Sequence, residues 1–121
     1  MLSPMRGTRI FVCAQPCDMR LGFNGLVTLA SNLLNADPYS GALFLFTNKR
    51  RNRLKILYFD GQGLWVLARR LEKGTFRWPE ITSDEPPRIE LSHQNFHMLM
   101  GGVDFKDTRK RGWYEHPLPE A

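Results

Sequence analysis

"RLKILYFDGQGLWVLARRL", residues 53–71, decides the fold. Two runs of strand length, rich in branched and aromatic side chains, flank Asp60-Gly61-Gln62-Gly63. If Gly61 and Gln62 are the central residues of a primed turn, partners count outward from it. Phe59 then faces Leu64, Tyr58 faces Trp65, Ile56 faces Leu67, Lys55 faces Ala68, Leu54 faces Arg69 and Arg53 faces Arg70. That register predicts an antiparallel hairpin whose open end carries Arg53, Lys55 and Arg70 on one side.

Upstream, "LFLFT" (43–47) reads as a further strand and completes a three-stranded meander over about 43–71. Its expected apolar face gathers Phe44, Phe46, Leu54, Ile56, Tyr58, Trp65 and Leu67, a surface able to receive a helix. That helix is expected over about 19–35, with Asp18 as its N-cap and Met19, Phe23, Leu26, Ala30, Leu33 and Leu34 at helical spacing. Gly22 and Gly25 each cost roughly 1 kcal/mol of helix propensity, so they mark either close packing or an irregular first turn. "TRIFVCA" (8–14) is β-rich and ends at Gln15-Pro16 as a short first strand, and "DPYSG" (37–41) is turn chemistry.

Downstream, "TFRWP" (75–79) suggests a fourth short strand and "TSDEPPR" (82–88) an exposed linker. Ser92 caps a short helix over about 93–100 carrying Phe96, Leu99 and Met100, with Gly101-Gly102 as its stop. Residues 103–121 read as a surface or partly mobile tail. The fold class expected is α+β: one domain over 1–121, with a mostly antiparallel sheet packed on the 19–35 helix.

The chain has 121 residues, 42% hydrophobic and 12% aromatic, enough to bury a core without disulfides or metal. Its net charge of +5 favours an acidic partner, nucleic acid foremost, and 12 of the 17 basic residues are Arg, whose planar fork suits phosphate. No apolar run is long enough to span a membrane, and the first residues do not read as a signal peptide, so a cytoplasmic protein with Cys13 and Cys17 reduced is expected.

"NKRRNR" (48–53) places four cations between apolar strands. With the predicted register, Lys49, Arg50, Arg51, Arg53, Lys55, Arg69, Arg70 and Lys73 form a candidate phosphate-tracking surface, or else a charged strand edge that resists aggregation. Trp65, Tyr58, Phe76 and Trp78 offer either base-stacking platforms or core. A second basic run, Lys106, Arg109, Lys110 and Arg111, followed by Trp113 and Tyr114, reads as an arm that orders on a partner or as a charged tail.

Cys13-x3-Cys17 and His93-x3-His97 have spacings that zinc ligands use, but the gap of 75 residues between the pairs is not that of a finger, and no metal is expected. Asp18, Asp37 and Asp60 serve caps and turns, and Glu72, Glu80 and Glu90 have no spacing that unites them. No activated nucleophile pattern is present, so neither catalysis nor a cofactor is expected.

"CDMRLGFNGL", "DPYSGALFLFTNKRRNRLKILYFDGQGLWVLARRLEKGTFRWP" and "LSHQNFHMLMGGVDF", in this order, resemble the small accessory proteins encoded beside the transposase in the IS sixty-six family of bacterial insertion sequences, often labelled TnpB-type. The likeness covers roughly residues 8–114. It implies a role in transposition, with the transposase of the same element as partner and strand-transfer chemistry left to that enzyme. The implied function is non-catalytic, either DNA binding through the basic sheet edge or adaptation to the transposase without DNA contact. One departure stands out. Members of that family typically read Ala-Cys-Gly-Pro-Thr before "DMR", whereas this chain has Cys13-Ala14-Gln15-Pro16-Cys17, which puts both thiols off the pattern.

Overall fold

The computed structural model describes residues 4–80, 86–101 and 103–104. Within them the chain forms β1 (Ile10–Cys13), α1 (Phe23–Thr28) continued by a π-helical turn (Leu29–Leu33), β2 (Leu43–Thr47), β3 (Arg53–Phe59), β4 (Leu64–Arg70), β5 (Thr75–Phe76), β6 (Arg88–Leu91), α2 (His93–Gly101) and β7 (Val103–Asp104).

β1 and β2 are buried at every position, which requires that both faces of the sheet be covered where they run. They are parallel neighbours, Ile10 opposite Leu43 and Val12 opposite Leu45. Antiparallel strands extend the sheet on both sides, giving the order β4-β3-β2-β1-β6. The α+β class therefore holds, with a mixed five-stranded sheet: the parallel β1–β2 pairing and the strand β6 are additions to the expected meander. β6 begins at Arg88, inside the stretch expected to be a linker, of which residues 82–85 lie outside the described residues.

The hairpin has the register its turn dictates, from Phe59 opposite Leu64 to Arg53 opposite Arg70. Gly61 sits at φ +101°, and Asp60 clamps the reversal by accepting from the backbone N–H groups of Gln62 and Gly63 at 2.8 Å each. A Cβ at Gly61 would meet nothing within 4 Å, so the cost of Gly61→Ala is purely conformational. We expect about 1 kcal/mol of destabilisation, seen as a lowered urea midpoint with an unchanged slope.

The faces differ from expectation. Phe44 lies opposite Leu57 and Phe46 opposite Lys55, so these two phenylalanines belong to the other side of the sheet from Leu54, Ile56 and Tyr58. The helical segment packs on that side: Leu26, Ala30 and Leu34 cover Phe11, Cys13, Phe44, Phe46 and Leu57. The opposite face, with Ile10, Val12, Leu43, Leu45, Leu54 and Ile56, receives Phe96, Leu99 and Met100 of α2 together with Phe76 and Trp78. The five-residue loop between β2 and β3 holds neither Gly nor Pro and so offers no two-residue turn from which this offset could be counted.

The first helix is shorter than 19–35. It starts at Phe23, so Asp18 is not its cap. Asp18 instead accepts from the backbone N–H of Arg20 in a local turn. A Cβ on Gly25 would sit 2.7 Å from the Leu21 side chain, so glycine there permits close packing. At the far end the backbone N–H of Leu34 donates to the Leu29 carbonyl, five residues back. α2 begins where Ser92 caps it, its Oγ accepting from Asn95 N–H at 3.0 Å. "TF" of the expected fourth strand does form β5, but it pairs with β7 in a separate two-stranded sheet. Val103 and Asp104 of the expected tail are thus strand, and residues 105–121 lie outside the described residues.

Candidate nucleic-acid interface

β2 ends and β3 begins at the same end of the sheet, and so do the C-terminal residues of β4. Chain connectivity alone therefore collects the loop 48–52, Arg53 and Arg70 there. The loop is built around Asn48. Its side-chain carbonyl accepts from Asn52 N–H (3.0 Å) and Arg53 N–H (3.1 Å), and its amide donates to Asn52 Oδ1 at 2.7 Å. Arg51 closes the turn at φ 60°, its N–H on the Asn48 carbonyl. Thr47, buried, donates its hydroxyl to the Arg53 carbonyl at 2.7 Å. The segment after β4 backs onto the loop, with Leu71 N–H on the Asn52 carbonyl and Phe76 N–H on that of Arg51, which places Lys73 beside it. Asn48 and Thr47 were not singled out from sequence; the Asn48-x3-Asn52 pattern opening a loop is side-chain-to-backbone turn chemistry and was the available signal.

Arg53, Lys55 and Arg70 share the helix-side face of the sheet, and with Met19, Ala68 and Glu72 they line a groove of about 370 Å³. Lys55 is partly committed: its Nζ donates to the Leu21 carbonyl at 2.8 Å and ties β3 to the start of the helical segment. Arg70 contacts Glu72 at 3.1 Å between exposed side chains, and half-buried Arg51 contacts exposed Glu80 at 3.8 Å, beyond hydrogen-bond length, so both pairs are weak. Lys49, Arg50, Arg53 and Lys73 make no ion pair among the described residues.

Arg69 also borders that groove, but its guanidinium does not join the others. Its side chain alternates to the opposite face, where Nη1 donates to the Met100 carbonyl at 2.7 Å and the guanidinium lies 5.7 Å from the Phe76 ring centre. It is a clamp on the C-terminal turn of α2, where a cation is favourable to exposed carbonyls. Lys106, Arg109, Lys110 and Arg111 lie outside the described residues.

No aromatic platform is both exposed and beside the cations, since Phe76, the ring against Arg69, is buried. Phe76 and Trp78 are core, Tyr58 is half-buried, and exposed Trp65 sits at the turn end of the hairpin with its indole N–H on Asp60. A larger recess of about 630 Å³ on the other flank holds Arg6, Arg9 and Arg88. There Arg9 forms a two-point contact with Glu90, Arg88 donates to the Asn35 carbonyl, and both guanidinium groups stack over Phe11.

Asp18, Asp60 and Glu90 are in local service. Asp18 pairs with Arg20, and hydrogen bonds from the Arg20 guanidinium and backbone, helped by the charge of Lys55, hold its carboxyl at about 2. A carboxyl lowered in the folded state contributes stability above its ordinary value of 3.8 and loses that contribution as pH falls toward about 2. The difference in thermal midpoint between the wild type and Asp18→Asn should therefore narrow across that window. Hydrogen bonds from Trp65 and the 62–63 backbone lower Asp60 likewise, and the Arg9 pair lowers Glu90. His93 Nε2 contacts the Thr8 carbonyl at 2.8 Å, His97 is exposed, and no group of three or more His, Cys, Asp or Glu gathers among the described residues. No helix among them is long and apolar enough to cross a membrane.

No solved structure matches the chain. The uncharacterized protein y4jC of Sinorhizobium fredii is 39% identical over 111 residues, covering 92% of each chain. The uncharacterized protein y4hO of the same organism is 32% identical over 110 residues, covering 91% of this chain and 93% of that one. A family model described as IS66 Orf2 like protein matches residues 8–110, which takes in both layers of the fold and the whole basic end of the sheet. The chain is therefore a member of the IS66 Orf2-like family.

Proposed function

We propose that the chain is a non-catalytic accessory protein of insertion-sequence transposition, acting in the bacterial cytoplasm, that docks the phosphate backbone of DNA onto the basic end of its sheet. Family membership supports the process. The observation that carries the mechanism is the direct opposition of Arg53 and Arg70 across β3 and β4. Like charges facing each other on adjacent strands destabilise a sheet, and an anion between them reverses that penalty. Lys49, Arg50, Arg51 and Lys73 widen the same surface, while Lys55 supplies field more than a free donor.

The test is a salt titration of DNA binding by the purified chain. With four or five phosphates engaged, the logarithm of affinity should fall against the logarithm of salt with a slope of about −4. A rival reading, an adaptor that meets acidic residues of the transposase without touching DNA, is favoured by the carboxylates already paired with Arg51 and Arg70. It predicts no affinity for DNA at any salt concentration unless the transposase is present.

A further inference from the structure

Two nucleophilic groups are left over from this account. Cys13 and Cys17 place their Sγ atoms 3.6 Å apart, and each thiol also lies 3.3 Å from the Gln15 carbonyl. We propose that Cys13 and Cys17 form a dithiol site that exchanges with low-molecular-weight disulfides and closes into an intramolecular disulfide. The proposal is independent of the DNA reading.

The pairing is held from both sides by the backbone rather than met by chance. Cys13 ends β1 opposite Arg88, and the next residue, Ala14, donates its N–H to the Pro87 carbonyl at 2.8 Å. Cys17 donates its own N–H to the Thr47 carbonyl at 2.8 Å. Trp78 adds an indole N–H on the Cys13 carbonyl at 2.8 Å. Both ends of the three-residue bridge Ala14-Gln15-Pro16 are thus fixed, which removes most of the entropy that ring closure would otherwise cost.

The two sulfurs are unequal. Cys13 is fully buried and Cys17 half-buried, so a small disulfide reaches Cys17 first. The hydrogen bond between them lowers the Cys13 thiol and raises that of Cys17. The Cys13 thiolate, the form that the hydrogen bond from Cys17 favours, takes the Cys17 proton as the Cys17 sulfur attacks one sulfur of oxidised glutathione; that S–S bond breaks and one glutathione leaves as a thiolate, which then takes the proton back from Cys13. Cys13, as thiolate, then attacks the Cys17 sulfur of the mixed disulfide, expelling the second glutathione. In total two protein thiols are oxidised by two electrons and one glutathione disulfide is reduced to two thiols.

The experiment treats the full chain with oxidised glutathione, alkylates the remaining thiols and weighs the product. The expected outcome is loss of both free thiols, a mass lower by two hydrogens, and no retained glutathionyl group. In Cys13→Ser, checked for folding by circular dichroism, the glutathionyl group should stay on Cys17. Because that variant puts a hydroxyl where a buried thiol stood, the wild type is also compared with itself in urea: the folded chain should favour the disulfide on the order of tenfold over the unfolded one. A persistent glutathione adduct on the folded wild type, two unreacted thiols, or an unfolded chain that closes as readily as the folded one each overturns the proposal.

Discussion

Replacing Arg50, Arg53 and Arg70 together by glutamine is expected to weaken DNA binding on the order of a hundredfold at about 0.1 M salt, because each lost phosphate contact removes roughly one released counterion. The slope of log affinity against log salt should flatten by about 2.7 with three contacts gone, leaving a shallow residue from Lys49, Arg51 and Lys73. All three side chains are exposed at the open end of the hairpin or in its adjoining loop, so the fold should survive the change. Arg69→Gln is the informative contrast. That residue neighbours Arg70 in sequence but bonds Met100 on the other face, so its loss should lower the unfolding midpoint and leave the salt slope alone. If Arg69→Gln alters the slope as much as Arg70→Gln does, the phosphate track has been placed on the wrong face.

Phe44→Ala is expected to have the largest effect on stability, about 3–5 kcal/mol. Phe44 is fully buried on β2, the middle strand of the sheet, and stacks on Phe11 with ring centres 5.6 Å apart. The helical segment lies over it through Leu26, Ala30 and Leu34, so removal of the ring leaves a space that strand backbone on one side and a helix on the other cannot close. A domain of this size has about 5–15 kcal/mol in all, and the substitution takes a large fraction of it. Urea unfolding followed by tryptophan fluorescence should show a greatly lowered midpoint. A loss below about 1 kcal/mol would mean that Phe44 is not in the core.

What could be read from sequence depended on how local its cause was. The hairpin register was legible because Gly61 fixes the turn within two residues. The loop 48–52 hid the next register: its left-handed position is occupied by Arg51, a residue type that rarely signals positive φ, and its organiser is a side-chain network from Asn48. One unread offset was enough to move Phe44 and Phe46 to the wrong face. β6 was missed for a different reason. "RIEL" is four residues after two prolines, and only pairing with distant β1 makes it a strand. Of the candidate site, Arg53, Lys55 and Arg70 followed from the turn, whereas the diversion of Arg69 to α2 needed a helix whose position no local signal gave.

The long reach between β1 and β6 also shapes how the molecule is made. Ile10 meets Leu91 across a separation of 81 residues, whereas the meander from β2 to β4 closes over short loops. On the ribosome the meander can assemble as soon as it emerges, but β1 keeps one edge bare until about three quarters of the chain has been synthesised. A polypeptide stalled before Arg88 would display that open edge beside an uncovered apolar surface, the form most prone to stick to its neighbours, and the arrival of β6 and α2 ends that exposure.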